Sequence, residues 1–232
     1  MKKILILILT VILTATVSGQ TNEFSVQLSS GLFSFGGLSA TKTSTIIFTQ
    51  NSYTNNPYGR GSGFSYGFGL QVQRITRSNF IFGLQTSYES SSSKVKIDNG
   101  WALEAPSANI SDGKTILTNQ FLSFHPFLGE RMKLINQITS DLTLGIDLGV
   151  CLNSREHETG IVDNEGKYDD SYTLANKPSI DIRPRIEFTN YYKKFGLTIG
   201  YSYGLTNYTN RMVGANMEVF SRMIRFGLTY RL

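Results

Sequence analysis

The feature that most constrains this chain is an apolar residue at every second position over long stretches. In the clearest stretch, such residues alternate with small or polar ones at Leu142, Leu144, Ile146, Leu148, Val150 and Leu152. The same spacing recurs around 64–72, 80–88 and 195–205. A helix would scatter these residues around its circumference, whereas a strand gathers them on one face. The chain is therefore predicted to be all-β.

The polar face of these strands indicates what their apolar face contacts. It consists mainly of Gly, Ser, Thr and Gln, with a few charges of both signs. A soluble sheet would carry many Lys and Glu there, whereas a narrow barrel lumen favours small residues and paired charges. Tilted strands of about 9–11 residues cross a bilayer, and these alternating stretches are at least that long. We therefore expect the apolar face to lie against lipid.

Eight such strands can be placed along the chain. They cover 23–36, 62–75, 80–90, 117–129, 142–153, 179–189, 195–206 and 219–232. Polar connections, predicted to be surface loops, lie near 37–61, 91–116, 154–178 and 207–218. Long loops outside and short turns inside are typical of outer-membrane barrels, and an even strand number closes the sheet without an edge. The prediction is an eight-stranded antiparallel transmembrane β-barrel, an up-and-down meander with both termini in the periplasm.

The N-terminus indicates the compartment. Two lysines precede about ten apolar residues over 4–13, and small residues follow up to Gly19. This layout is typical of a secretory signal peptide, and the apolar part is too short for a permanent membrane helix. The predicted domains are a signal peptide over 1–19 and an outer-membrane barrel over 20–232.

Composition excludes several other classes of protein. No apolar run reaches 18 residues, which excludes a multi-span helical membrane protein. One cysteine and two histidines leave little material for disulfides or a zinc site. That cysteine, Cys151, alternates with apolar neighbours and is expected to be a free, inward-facing thiol. The basic residues are scattered, with no run longer than Lys193-Lys194, so no nucleic-acid partner is expected.

The last strand carries a more specific pattern. Apolar and aromatic residues alternate up to the last residue, at Phe226, Leu228, Tyr230 and Leu232. Together with the signal peptide and the eight strands, this resembles the small outer-membrane β-barrel proteins of Bacteroidota-type bacteria, often labelled porin-family or OmpA/OmpX-like barrels. In that family the last strand is a sorting signal read by the barrel-assembly machinery. The resemblance implies that these four residues form a C-terminal assembly signal and that the protein lies in the bacterial outer membrane.

Charged residues fall on the predicted lumen face. They belong to the fifth, sixth and eighth strands: Asp147, Asp181, Arg183, Arg185, Glu187 and Arg225. An eight-stranded barrel is just wide enough for its own side chains, and an unpaired charge there costs several kcal/mol. We expect these residues to form a salt-bridged network that fills the lumen. A gated path for ions or solutes through the same charges is the alternative.

Ser123 and His125 lie two residues apart and therefore on one strand face. Some outer-membrane lipid-modifying barrels carry a Ser and a His on a shared strand face, so an enzyme of that kind is a second alternative. A serine nucleophile needs a base within ~3 Å and an acid that orients the base, and the sequence places no carboxylate beside His125. No catalytic residue, metal site or cofactor is therefore predicted, and the protein is not expected to be an enzyme.

The functional expectation follows from the fold. We expect a monomeric barrel with a structural or surface-interaction role through its extracellular loops. Its expected partners are outer-membrane lipid or lipopolysaccharide, the barrel-assembly machinery during biogenesis, and a surface partner that the sequence does not identify. The alternatives are a narrow pore for small solutes, an outer-membrane lipid-modifying enzyme and a secreted soluble barrel of lipocalin type.

Overall fold

The computed structural model describes residues 20–49, 52–102, 105–135, 137–163, 166–174, 177–210 and 217–232. The predicted signal peptide over 1–19 lies outside these residues. Within them the regular structure consists of strands. No helix in these ranges is long and apolar enough to span a membrane.

Eleven strands are found in the described residues and are numbered in chain order. They are β1 Thr21–Gly36, β2 Thr43–Phe48, β3 Tyr53–Thr54, β4 Gly61–Ile75, β5 Phe80–Ala102, β6 Ala105–Ile135, β7 Ile138–Val162, β8 Gly166–Thr173, β9 Ile180–Tyr192, β10 Phe195–Tyr203 and β11 Phe220–Arg231. Eight of them, namely β1, β4, β5, β6, β7, β9, β10 and β11, form a ring in which neighbouring strands are antiparallel. Each pairs with the next along the chain, and β11 pairs with β1.

The pair that closes the ring is continuous. β1 and β11 pair from Ser25 opposite Arg231 to Gly36 opposite Phe220, without a shift in register. Closure satisfies the backbone donors and acceptors of both strands, which hydrocarbon requires because it offers no water to an open edge.

The two ends of the ring differ. At one end the connections are short, at 76–79, 136–137 and 193–194, and β1 begins and β11 ends there. At the other end β5, β6 and β7 continue well beyond the remaining ring strands. We call this continuation, with β2, β3 and β8, the extension.

The outer wall of the ring is apolar. On β7 the six alternating apolar residues over 142–152 are between 39% and 56% exposed, whereas Asp147 between them is fully buried. The other ring strands show the same alternation, and over the middle of the ring their exposed residues are mainly large hydrophobic side chains. A wall of this size would aggregate in water and suits hydrocarbon.

The prediction of irregular loops is wrong for two connections. The 91–116 stretch continues β5 and β6 as one hairpin, and 154–178 is largely a continued β7 paired with β8. The 37–61 stretch also holds β2, which runs parallel to β5, and β3. The paired backbones of these strands satisfy each other, and the few apolar residues that they bury are widely spaced along the chain: Ile46, Val95, Ile97, Ile110 and Val162. The polar composition of these stretches therefore hid their strands.

Candidate functional site

The middle of the ring interior holds a network of arginines and carboxylates contributed by β5, β7, β9 and β11. All of its members are less than a tenth exposed: Glu89, Asp147, Asp181, Arg183, Arg185, Glu187 and Arg225. The register places Asp147 directly opposite Arg183 on the neighbouring strand. Six of the seven are the lumen charges predicted from the sequence, and the structure brings them together.

Asp147 lies at the centre of this network. Its Oδ1 accepts a hydrogen bond from Arg185 Nη1 at 3.1 Å, and its Oδ2 accepts one from Arg225 Nη2 at 3.1 Å. The Nε of Arg183 lies 3.8 Å from Asp147 Oδ2. One carboxylate therefore contacts three guanidinium groups, which balances positive charge that would be costly in a low-dielectric interior.

The remaining carboxylates complete the network. Arg183 Nη1 donates to Glu89 Oε1 at 2.9 Å, and Arg225 also donates to Glu89. Arg185 donates to Glu187 on its own strand. Asp181 lies 3.7 Å from Arg183 Nε. These contacts join side chains from opposite walls of the ring, so the charges occupy its cross-section.

A second cluster fills the interior at the short-turn end. Arg131 donates to both carboxylate oxygens of Glu23, at 2.7 and 2.8 Å, and to both of Asp141, each at 2.7 Å. Arg231 Nε lies 3.1 Å from Glu23 Oε2, and its guanidinium sits 3.3 Å above the ring centre of Tyr191. Bidentate pairs of this kind are geometrically specific and strong. They tie β1, β6, β7, β9 and β11 together at this end.

An aromatic cluster fills the interior at the opposite end. Phe35 makes edge-to-face contacts with Phe33, Tyr58 and Tyr208, with ring centres 4.9–5.2 Å apart. The Tyr208 hydroxyl donates to Asp181 at 2.7 Å and so joins this cluster to the charge network. The interior is thus occupied at three successive levels.

His125 lies beside a carboxylate that the sequence did not place there. Its Nδ1 is 3.1 Å from Asp147 Oδ1, and its ring stacks on Phe127. The hydroxyl of Ser123, on the same face of β6, has no hydrogen-bond partner among the described residues. A His–Asp pair is therefore present without the serine-to-base hydrogen bond that an activated nucleophile needs.

Sequence reasoning missed several buried charges. Glu89 lies within the third predicted strand, 80–90, and counting alternate positions from Phe80 places it on the inner face, yet it is absent from the predicted network. Glu23, Arg131 and Asp141 lie at strand ends where apolar alternation fades. Extending the alternation of inward-facing and outward-facing positions to the ends of the strands predicts that these side chains face inward.

A buried pair of carboxylates lies in the extension, on β7. The Thr54 amide donates to Glu156 Oε2 at 3.1 Å, and the Thr54 hydroxyl donates to Glu158 Oε1 at 2.6 Å. Tyr168 donates to Glu158 Oε2 at 2.8 Å. Neither carboxylate forms an ion pair within 4 Å in the described part of the chain. Burial, together with the neighbouring Glu158 carboxylate, raises the pKa of Glu156 to about 8.

The extension is expected to lose stability as pH rises. The ordinary pKa of Glu156 is 4.5, so the folded state holds its proton more tightly than the unfolded state. The stabilisation from this proton is complete below pH 4.5 and is lost as pH rises through about 8. The free energy of unfolding of the extension falls by on the order of a few kcal/mol over this range. Limited proteolysis of the extension between pH 5 and 9 measures this loss. Glu156→Gln, which carries no charge, should flatten the profile, and an unchanged slope would contradict the assignment.

The other predicted positions are placed as follows. Cys151 is buried and free. The four residues of the predicted assembly signal, Phe226, Leu228, Tyr230 and Leu232, are exposed on the outer wall. No group of three or more His, Cys, Asp or Glu in the described ranges is arranged to hold a metal ion.

Comparisons with known proteins give one family match. Residues 19–210 match the family described as "Outer membrane protein beta-barrel domain", and no curated protein matches the chain. Among solved structures, Neisserial surface protein A is 14% identical, with 90% of this chain and 97% of that chain covered and a TM-score of 0.41. The attachment invasion locus protein Ail of Yersinia pestis is 12% identical, with 93% and 100% covered and a TM-score of 0.36.

Proposed function

Because the chain belongs to the outer membrane protein β-barrel domain family, and so lies in the bacterial outer membrane, we propose that it is a closed, non-conducting barrel with a structural or surface-interaction role. The barrel has eight strands in an up-and-down meander. Its extension faces the cell exterior and is the part that a surface partner meets.

The proposed orientation of the barrel in the membrane rests on the different lengths of the connections at the two ends of the ring. Outer-membrane barrels have short periplasmic turns and longer extracellular segments. The short-turn end also holds both ends of the ring, so the termini are periplasmic. Lys193 and Tyr192 at the 193–194 turn make a cation–π contact, in keeping with an interface where aromatic rings and lysines meet lipid headgroups.

The observation that carries the proposal is the filled interior. Asp147 and its three arginines block the middle of the ring, the Arg131 cluster blocks the short-turn end, and the Phe35 cluster blocks the other. An eight-stranded barrel has no further width for a permanent aqueous channel. A barrel closed in this way acts through its outer surface.

No catalytic role is proposed for Ser123. It is buried on the inner face of β6, and no described residue accepts or donates a hydrogen bond at its hydroxyl. His125 is turned to Asp147 and is surrounded by the arginine network. The pair is better explained as part of the interior packing than as an enzyme site.

Conductance tests the proposal against the pore alternative. The purified protein, inserted into a planar bilayer between salt solutions, is expected to give no single-channel steps. Insertion is verified separately by flotation of the protein with vesicles of the same lipid, so that silence reflects a closed barrel and not missing protein. Reproducible steps of one amplitude would show a solute path and overturn the closed-lumen proposal.

The proposed partners follow from this location. They are outer-membrane lipid or lipopolysaccharide around the wall, the barrel-assembly machinery during biogenesis and a surface partner. The exposed alternation of Phe226, Leu228, Tyr230 and Leu232 supports a C-terminal assembly signal. We also propose a narrower place among the Bacteroidota-type porin-family barrels, whose last strand this C-terminal pattern resembles. We further propose that the barrel is a monomer.

A further inference from the structure

A groove on the outer wall of the extension gathers basic side chains that are far apart in the sequence. Its volume is about 380 Å³. Five of its eight lining residues are cationic, and none of the eight is acidic: Lys42, Arg60, Gly61, Lys94, Val95, Lys96, Gly113 and Lys114. We call these eight residues the basic groove.

Strand pairing brings together three of the five cations. Lys94 and Lys96 are exposed on β5, and Val95 between them is buried. Lys96 lies directly opposite Lys114 on β6. Three lysines therefore share one small area of the outer face, although 18 positions separate Lys96 from Lys114 along the chain.

The connection between β1 and β4 adds two more cations. The Lys96 amide donates to the Lys42 carbonyl at 3.0 Å, which holds Lys42 against β5. The Arg60 side chain donates to the carbonyl oxygens of Ala40 and Gly37 at 2.7 and 3.1 Å. These bonds fix the Arg60 guanidinium at the groove.

The charges of the groove are poorly compensated. Lys96 Nζ lies 2.7 Å from Asp98 Oδ1. Lys42, Lys94 and Lys114 form no ion pair within 4 Å with any residue in the described ranges. Like charges directly opposite each other on neighbouring strands are destabilising. Asp98 offsets the charge of Lys96, so Lys42, Lys94 and Lys114 are the groove cations that are left to pair with an anion.

The groove lies just beyond the apolar band of the wall. Phe64 is exposed on the outer face of β4, and Arg60 precedes it by four positions, just before the strand begins. On β5, Tyr88 precedes Lys94 by six positions. At about 3.3 Å per residue and a tilt of ~45°, these intervals rise roughly 9–14 Å above the apolar residues. The headgroup layer is about 5–8 Å deep on each side of the bilayer, so the groove lies at its outer edge, within reach of a large saccharide headgroup.

We propose that the basic groove binds the phosphorylated saccharide headgroup of an outer-leaflet lipid. The proposal rests on the proposed function, because the groove meets headgroups only if the ring spans the outer membrane. Ammonium and guanidinium groups are the usual protein partners of phosphate. The volume of the groove lies within the range of small-molecule sites, so it accommodates a sugar with its phosphate. A lipid whose headgroup is bound at the groove has its acyl chains against the apolar band below. This favours a membrane lipid over a free anion.

Binding of lipid A to the purified barrel in detergent tests the proposal. The probes are diphosphorylated lipid A, the same lipid with its phosphates removed, and inorganic phosphate. The variant Lys94→Ala/Lys96→Ala/Lys114→Ala removes the three strand lysines, and Arg77→Ala/Lys133→Ala, which changes two exposed basic residues at the other end, is the control. We expect the wild type and the control to bind diphosphorylated lipid A at least tenfold more tightly than the dephosphorylated lipid, and the triple variant to lose that preference.

Each outcome has a defined meaning. Equal binding by the wild type and the triple variant, or equal binding of both lipids, would overturn the proposal. Full competition by millimolar inorganic phosphate would show a site for free anions and would also overturn it. The triple variant's fold is checked by its β circular dichroism and vesicle insertion. A wild type that fails to insert into vesicles contradicts the proposed function itself, whereas a wild type that inserts without preferring phosphorylated lipid contradicts only the groove's role.

Discussion

Replacing Arg183 and Arg185 together with alanine is expected to lower the unfolding temperature of the barrel in detergent by a large margin. The change removes two of the three guanidinium groups at Asp147 and leaves Glu89 and Glu187 with fewer or no cationic partners. Breaking a buried ion pair by removing one partner costs about 3–5 kcal/mol, because the remaining charge stays buried and uncompensated. Loss of the β circular dichroism signal on heating measures the effect.

Two controls separate the network from a general loss of arginine. Arg77→Ala changes an exposed arginine in the 76–79 turn and should leave the unfolding temperature within experimental error. Arg185→Met combined with Glu187→Leu removes both partners of one pair and should be less destabilising than Arg185→Met alone, since Asp147 keeps Arg183 and Arg225 and no carboxylate is left without a cation. An Arg183/Arg185 double variant as heat-stable as the wild type would show that the interior charges do not hold the barrel together.

Placing arginine at the middle of the outer wall is expected to be nearly as costly. Ile146 lies at the centre of the exposed apolar run on β7. An arginine on the lipid face at the bilayer midplane costs about 2–4 kcal/mol, and near the interface only about 0–1 kcal/mol. The free energy of unfolding of Ile146→Arg in lipid vesicles, from urea titration, should fall by the larger amount.

Leu152→Arg is the matched control, because Leu152 is equally exposed but ends the same run. It should lose about 0–1 kcal/mol. Both variants introduce the same side chain, so the difference between their free energies of unfolding measures the depth of the position in lipid. If the two arginines cost the same, or if neither costs anything, the outer wall faces water and the membrane placement is wrong.

The strand positions could be predicted from the sequence because lipid and lumen impose opposite demands on alternate residues. Each of the eight predicted strands overlaps one ring strand, and the short turns at 76–79 and 193–194 lie where they were expected. The pattern fails where the membrane ends. Lys94 and Lys96 belong to a paired strand and alternate with the buried Val95 and Ile97, but this alternation is too short to distinguish the extension from loops.

The charge network could be predicted in part. The alternation of positions along each strand predicts that Asp147, Arg183, Arg185 and Arg225 face inward. Which of these side chains contact each other depends on strand register and on contacts across the ring. Arg183 and Glu89 lie on strands that are distant in sequence, whereas His125 and Asp147 meet across the neighbouring strands β6 and β7, where the register decides the contact. The same limit explains why scattered basic residues gave no sign of the basic groove.

The most direct test of a closed membrane barrel is the migration of the wild-type protein on a detergent gel with and without boiling. Closed barrels resist the detergent until heated, so the unboiled protein is expected to run as a compact, faster band that converts to the full-length position on boiling. Identical migration of both samples, with the protein recovered in the aqueous fraction, would contradict the closed outer-membrane barrel.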